Sequence, residues 1–148
     1  MIEPLVSYLH YLSIVLTGGF LIAEMVVCRP GMTEEQRRRL PVIDVVFFVS
    51  ALVALATGLL RLFFYAKGVG FYLGNPFFWA KIALYVSIAV LSIRPTLTFG
   101  RWKRAIAAGS AAPAAEEIAG VRRILHIEVG LFALMPLMAV LMARGIGR

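Results

Sequence analysis

The chain has 148 residues, of which 61% are hydrophobic and only 16% are charged. A soluble globular domain is about 45–50% apolar, so this composition excludes an ordinary soluble domain and favours a protein embedded in lipid. The net charge of +7 does not indicate a nucleic-acid partner, because most of the basic residues are sorted onto the loops between apolar runs.

Four apolar runs cover most of the chain, at residues of about 5–27, 42–65, 77–98 and 120–143. Each run can cross the hydrocarbon of a bilayer, which takes about 20 residues of helix. Backbone polar groups inside a bilayer must be bonded within their own segment, so each run should be an α-helix. The predicted fold is all-α, with four transmembrane helices in an up-down antiparallel bundle that forms a single domain over residues 1–148.

The basic residues predict the orientation of this bundle in the membrane. Most of them lie in the connections between the first and second or the third and fourth runs, or at the edges of these connections: Arg29, Arg37, Arg38, Arg39, Arg101, Lys103, Arg104, Arg122 and Arg123. Cytoplasmic loops hold the excess of Lys and Arg, so both termini should be periplasmic. The predicted location is the bacterial inner membrane, with the lipid bilayer as the main partner.

Prolines predict several helix ends. The second helix should begin near Pro41, because proline suits the first turn of a helix. Asn75 and Pro76 form a cap and first-turn pair for the third helix. That helix should end near Arg94, since the proline that follows disfavours helical conformation in the residue before it.

Ionisable residues inside a span are costly, and they usually face the interior of the bundle and have a function. Two stripes of polar residues have this character: His10, Thr17 and Glu24 on the first helix, and Lys81, Tyr85 and Ser92 on the third. Residues spaced four or seven apart lie on one face of a helix, so each stripe can point inward.

The up-down order sorts the polar residues by depth into two layers. His10, Arg61 and Lys81 are expected at similar depth in the outer layer, because the start of the first helix meets the end of the second and the start of the third. The layer near the cytoplasm should contain Glu24, Asp44, Arg94, His126 and Glu128.

The two histidines of the chain, His10 and His126, are predicted to lie in opposite layers. About ten residues of helix separate them in depth, or about 15 Å at 1.5 Å per residue. A single haem ligated by both histidines is therefore excluded.

Each outer-layer residue also has a structural interpretation. His10 is either a ligand or proton-handling group, or a residue that only packs helices together. Lys81 and Arg61 can extend their charges to the membrane surface while their stems stay in lipid. In the other layer, Asp44 would lie in the first turn of the second helix, where the helix dipole favours a carboxylate.

His126 and Glu128 are two positions apart, which is about 200° on a helix, so they do not form one site. His126 shares its face with Gly130, a pattern that favours close helix packing. Glu128 is expected to pair with Arg94 or Arg123, or to reach toward lipid headgroups.

Several segments along the chain are similar to those of a known protein family. They read LHYLSIVLTGGFLIAE, ATGLLRLFFYAKGVGFYLGNPFFWAKIALY, LSIRPTLTFGRW and LMARGIG. The chain resembles the bacterial four-helix membrane proteins of the domain of unknown function twenty-two fourteen. This resemblance covers nearly the whole chain and implies the fold, and it implies no activity.

A shorter pattern consists of a histidine in the first helix followed by a glycine, and Trp-x-Lys at the start of the third helix. It is similar to the bacterial four-helix protoporphyrinogen oxidases, which bind haem b. That likeness implies His10 and Lys81, the latter within FWAKIALY, as ligands of the iron. The pattern of their last helix is not present, and RILHIEVG stands in its place.

The sequence leaves three hypotheses of function. In the first, the protein binds haem b and exchanges electrons or protons with a quinone or tetrapyrrole. His10 is then an axial ligand, Lys81 is the second ligand or a propionate partner, and Arg61 is a propionate partner. In the second, the protein is a non-catalytic scaffold or an accessory subunit of a transporter or sensor. In the third, a homo-oligomer transports a small ion or metabolite.

Overall fold

A computed structural model describes residues 1–147, and Arg148, the last residue of the predicted domain, lies outside the described residues. The helices are α1 (Ile2–Val27), α2 (Glu34–Leu60), α3 (Val69–Leu73), α4 (Pro76–Ala107) and α5 (Ala115–Ala143). A π-helical segment, Arg61–Tyr65, continues α2. The described residues contain no strand, and the all-α prediction is confirmed.

Four of these helices are long and apolar enough to cross a membrane: α1, α2 with its π-helical extension, α4 and α5. The prediction of four transmembrane helices is therefore confirmed. The short helix α3 lies in the connection between α2 and α4, where the sequence has glycines and aromatic residues.

The four long helices are arranged around a common interior. Helix α1 packs against α2 and α5, and α4 also packs against α2 and α5. Within the described part of the chain, the backbone of α1 does not come into contact with that of α4, nor α2 with α5. Helix α1 is therefore diagonal to α4 in the bundle, and α2 is diagonal to α5.

The helix contacts define two ends of the bundle. His10, early in α1, contacts Thr57 late in α2, whereas Glu24, late in α1, interacts with Asp44 earlier in α2. We call the first of these levels the His10 end. The other is the arginine-rich end, because the loops 28–33 and 108–114 and most of the basic residues lie there.

The hydrophobic core is concentrated at the arginine-rich end. Its buried members are Leu21, Cys28, Met32, Leu40, Phe47, Ile88, Phe99, Trp102, Ile118, Val121 and Leu125. They come from the second half of α1, the loop 28–33, the first half of α2, the middle and end of α4, and the start of α5. Toward the His10 end the buried residues are mainly polar: His10, Ser13, Thr17, Ser50 and Thr57. The two ends therefore have interiors of different chemistry.

Helix α2 begins at Glu34, well before the predicted start near Pro41. The reason is a capping box at Thr33, whose hydroxyl accepts a hydrogen bond from the Gln36 N–H at 3.2 Å. The Gln36 side chain in turn accepts a bond from the Thr33 N–H at 2.9 Å. This pair satisfies the first free N–H groups, so the helix begins in the polar segment and Pro41 lies inside it.

Helix α4 also extends further than predicted, because it continues through Pro95 to Ala107 and does not end near Arg94. The Pro95 side chain is completely buried, and a helix between packed neighbours tolerates a proline in its interior. The start of α4 is as predicted: Asn75 caps the helix through a bond from the Phe77 N–H at 2.9 Å, and Pro76 follows it.

Candidate functional site

His10 is buried between α1 and α2, with 8% of its surface exposed. Its Nδ1 atom lies 3.0 Å from the Ala54 carbonyl oxygen and 3.0 Å from Oγ1 of Thr57. The carbonyl can only accept a hydrogen bond. The Thr57 hydroxyl donates its own proton to the Val53 carbonyl oxygen at 2.6 Å, so it is an acceptor toward the ring as well. Nδ1 must therefore carry the proton that binds these two oxygens.

This bonding pattern determines the chemistry available at the other ring nitrogen. In a neutral imidazole with its proton on Nδ1, the Nε2 atom has a free lone pair. A backbone carbonyl that holds the Nδ1 proton is the common arrangement for a histidine that ligates a metal through Nε2. His10 is thus fixed in orientation and has the tautomer that a ligand needs.

Gly58 provides the space that lets His10 lie between the helices. A β-carbon added at Gly58 would lie 3.1 Å from Cε1 of His10. The glycine therefore lets the ring pack directly on the α2 backbone. Neither Thr57 nor Gly58 was among the candidate site residues from the sequence. The sequence does place these two small residues next to each other within the apolar run of α2. Their role can be recognised only when it is known that α1 packs against α2.

Arg61 begins the π-helical turn at the end of α2, and its guanidinium lies 5.1 Å from the centre of the Tyr11 ring. A guanidinium over an aromatic face is attracted by the ring electrons. Its charge also acts on both His10 and Lys81. The contact with Tyr11, the neighbour of His10, holds this cation next to the histidine.

Lys81 is half-buried on α4, the helix diagonal to α1, and its charge acts on His10. One turn further along α4, the Tyr85 hydroxyl donates a hydrogen bond to the Ala51 carbonyl oxygen at 2.8 Å, which fixes α4 against α2. Within residues 1–147 the Lys81 amine has no ion pair and no hydrogen bond. The charges of Arg61 and Lys81 thus both act on His10, and the Lys81 amine has no bonded partner among residues 1–147.

The donor atoms of His10, Arg61 and Lys81 suit haem b. Imidazole Nε2 and a neutral amine are both nitrogen ligands for iron, and the guanidinium suits a propionate carboxylate. The two cations beside a single buried histidine also suit the propionate edge of haem, which is negatively charged.

The residues predicted for the layer near the cytoplasm differ in burial. Glu24, Asp44 and Glu128 are buried and act on one another, whereas His126 is exposed and its Nδ1 lies 2.7 Å from the Arg122 carbonyl oxygen. His126 and Gly130 are both exposed, so the predicted packing face is not buried within the described chain.

Two expectations for the carboxylates are wrong. Asp44 lies in the interior of α2, ten residues after Glu34, because the capping box moves the helix start. The dipole of the first turn therefore does not explain it. Glu128 pairs neither with Arg94 nor with Arg123, and instead accepts a hydrogen bond from the Ser92 hydroxyl of α4. The cause is the inward direction of this side chain, away from the basic loops.

Comparison with known protein families identifies the chain. The model of the family described as "Predicted membrane protein (DUF2214)" matches residues 2–147. The chain belongs to this family. The finding agrees with the four membrane-spanning helices and with a lipid bilayer as their environment. No curated protein and no solved structure shows significant similarity to the chain. The likeness to protoporphyrinogen oxidases therefore depends on His10, Lys81 and their immediate neighbours alone.

Proposed function

We propose that this membrane protein binds haem b, or a related redox cofactor, at its His10 end. His10 serves as an axial ligand through Nε2, Lys81 as the second ligand or as a propionate partner, and Arg61 as a propionate partner. The bound group exchanges electrons or protons with a quinone or tetrapyrrole in the inner membrane. When bound, the haem supplies the one-electron chemistry, and the protein supplies its orientation and surroundings.

The observation that supports this proposal most strongly is the fixed tautomer of His10. Every neutral imidazole has one nitrogen without a proton, and in His10 this is the nitrogen that does not contact the two oxygens of α2. Here the Ala54 carbonyl and the Thr57 hydroxyl both bind Nδ1, so Nε2 is left for a ligand.

The two cations have complementary tasks in this proposal. Arg61 is held over Tyr11, so its position changes little and its planar fork can hold a carboxylate. Lys81 lies on the helix diagonal to that of His10, with the bundle interior between them. A flat ring between α1 and α4 would meet an imidazole on one side and an amine on the other. Burial of the amine lessens the competition of water for either role.

A second candidate function is that of a scaffold or accessory subunit, and the uneven burial of the helices favours it. In the most apolar part of α1 and α2, 33% and 28% of the residues are buried inside this chain, but in α4 and α5 only 11% are. Helices α4 and α5 therefore offer the larger faces to lipid, to a partner subunit or to a second copy of the chain.

The visible spectrum of the purified protein, with and without reductant, separates these two functions. The protein is produced in haem-replete cells, and haem is also added after purification. We expect a Soret band that shifts on reduction and that is lost in His10→Ala. The matched control is His126→Ala, since this is the second histidine of the chain and is exposed, and it should keep the spectrum. A wild-type protein that stays colourless after haem is supplied refutes the redox proposal and leaves the scaffold.

Substitutions of Lys81 separate its two proposed roles. Lys81→Arg keeps a cation but removes the ligating amine. If Lys81 ligates the iron, this variant should change the position of the bands. If it binds a propionate, Lys81→Arg should retain the wild-type spectrum, whereas Lys81→Met should weaken haem binding without changing the ligands.

A further inference from the structure

Three buried carboxyl groups meet inside the bundle near its arginine-rich end. They are Glu24 of α1, Asp44 of α2 and Glu128 of α5, with 1%, 5% and 1% of their surfaces exposed. We call them the carboxyl cluster. Glu24 and Asp44 form a hydrogen bond with each other, and each acts electrostatically on Glu128. Since α2 and α5 are diagonal to each other, the cluster lies across the centre of the bundle.

The fourth helix contributes hydroxyl groups to the same place. Ser92 of α4 donates a hydrogen bond to Oε1 of Glu128, and the Thr96 hydroxyl donates to Oδ1 of Asp44 at 3.0 Å. One oxygen of each glutamate is left without a hydrogen-bond partner, although both are completely enclosed: Oε1 of Glu24 and Oε2 of Glu128. All four long helices therefore supply polar groups to this site, and two of its carboxyl oxygens have no hydrogen-bond partner in the protein.

Cations do not neutralise this cluster. None of the ion pairs within residues 1–147 includes a member of it. The guanidinium groups of two nearby arginines lie against other parts of the chain. Arg94 of α4 lies against Gly120 of α5, with its guanidinium 3.3 Å from where a β-carbon would be. Arg122 of α5 donates to the Cys28 carbonyl oxygen at 3.1 Å. Three carboxylates without a counter-ion would be very unfavourable in the interior of a membrane protein.

The occupant that the geometry favours is a proton. Two carboxyl groups can hydrogen-bond to each other only if a proton lies between them. A metal ion is the less favoured occupant, because within the described chain no group of three His, Cys, Asp or Glu side chains is arranged so that it could hold one.

We propose that the carboxyl cluster is a proton-exchange site, at which Glu24 and Asp44 share a bound proton and Glu128 accepts a further one. In the resting arrangement the Glu24 O–H donates to the Asp44 carboxylate, which also accepts from Thr96. Transfer breaks the O–H bond at Glu24 and forms one at Asp44, and the total charge is unchanged. Uptake of one further proton from water forms an O–H bond at Glu128 and removes one negative charge.

Thr96 connects this site to the outside of the bundle. Its side chain is exposed, while its hydroxyl bonds to the buried Asp44. A hydroxyl both accepts and donates a hydrogen bond, so it can pass a proton on. Because the cluster lies near the arginine-rich end, we expect a proton to pass through Thr96 toward that end of α4, independently of the group around His10.

Infrared spectroscopy tests the proposal, since the C=O stretch of a carboxylic acid is distinct from the bands of a carboxylate. The protein is measured at neutral and alkaline pH in a detergent without ester groups. We expect an acid band at neutral pH that shifts in deuterated water, and that Glu24→Gln loses most of it. Glu116→Gln, which changes an exposed loop-side glutamate, is the matched control and should retain the band.

Two outcomes of this measurement would overturn the proposal. One is a spectrum without an acid band at neutral pH, or with a band that persists in Glu24→Gln, Asp44→Asn and Glu128→Gln alike. The other is loss of the band when sodium replaces a bulky organic cation at constant pH, because the occupant would then be a metal cation.

A second measurement on the wild-type protein needs no substitution, so misfolding of a variant cannot obscure the result. Dicyclohexylcarbodiimide reacts with protonated carboxyl groups in apolar surroundings. We expect mass spectrometry to find the adduct on Glu24 at neutral pH and to find less of it at alkaline pH. The exposed Glu34 and Glu35 are internal controls and should remain unmodified. Adducts confined to exposed glutamates would contradict the proposal.

Discussion

The Cε1 edge of His10 in α1 faces Gly58 in α2, and a β-carbon at that glycine would lie 3.1 Å from it. The same histidine binds the preceding turn of α2 through the Ala54 carbonyl and Thr57. One residue of α1 thus lies against three residues that span little more than one turn of α2. This relationship sets both the spacing of the two helices and the direction of the imidazole.

The first prediction concerns this spacing. Gly58→Val adds a branched side chain where the His10 ring lies, so the ring must move or the helices must separate. We expect the free energy of unfolding to fall by about 1–3 kcal/mol, the usual cost of overpacking. Gly130→Val is the control, because a β-carbon at Gly130 meets nothing within 4 Å. Unfolding in mixed detergent micelles measures both variants, and equal losses would contradict the contact.

Adjacent glycines in α1 provide the second prediction. A β-carbon at Gly18 would lie 2.5 Å from Cε1 of Phe132 in α5, whereas one at Gly19 meets nothing within 4 Å. Alanine stabilises a helix by about 1 kcal/mol relative to glycine, so Gly19→Ala should raise the free energy of unfolding by about that amount. Gly18→Ala should lower it, because the Phe132 ring must be displaced.

One result for these two variants would contradict the second prediction. If Gly18→Ala were as stable as Gly19→Ala, the close approach of α1 to α5 would be wrong. The same unfolding measurement serves both variants, and the substitution is identical in each, so differences in helix propensity cancel.

The third prediction concerns the start of α2. Thr33→Ala removes the hydroxyl that accepts from the Gln36 N–H, and the loss of such a cap costs about 1 kcal/mol. We expect the first turn of α2 to fray, with faster amide hydrogen exchange at Glu35 and Gln36. Thr33→Ser keeps an accepting hydroxyl and should behave as the wild type. Unchanged exchange in Thr33→Ala would show that the cap is not what fixes the helix start.

The transmembrane helices were predictable from the sequence because lipid imposes a strong rule on long apolar runs. Their ends were less predictable. The start of α2 is determined by the side-chain hydrogen bonds of Thr33 and Gln36. These residues are polar, so the pattern of apolar residues does not indicate where the helix begins. The continuation of α4 through Pro95 depends on the neighbours that enclose it. Local proline rules therefore gave too short a helix.

The candidate site was also predictable only in part from the sequence. The depth of His10, Arg61 and Lys81 follows from helix length and order, and the sequence provides both. The partners of His10 could not be named, because the rotation of α2 toward α1 depends on how Gly58 and its neighbours pack. For Glu128 the charge pattern favoured an arginine, whereas the structure gives a serine on α4. Charge alone does not say which face of α5 points inward.

The fourth prediction concerns Cys28, which follows α1 and is completely buried. Burial raises the pKa of its thiol from the ordinary 9.0 to about 11, although the positive charge of Arg122 acts in the opposite direction. Because the thiolate is the reactive form, we expect maleimide or iodoacetamide to modify the folded protein very slowly near neutral pH. The unfolded protein in a strong detergent should react completely and is the control.

The same shift gives a pH dependence of stability with a definite sign. Since the folded pKa lies above the unfolded value of 9.0, the unfolded chain loses its thiol proton first as the pH rises. The contribution of Cys28 is therefore fully present below pH 9.0 and is lost as the pH rises toward about 11. Cys28→Ser exchanges the thiol for a hydroxyl that does not titrate in this range, so its unfolding free energy should fall less over this interval. Parallel curves for the two proteins would show that the thiol does not titrate differently on folding.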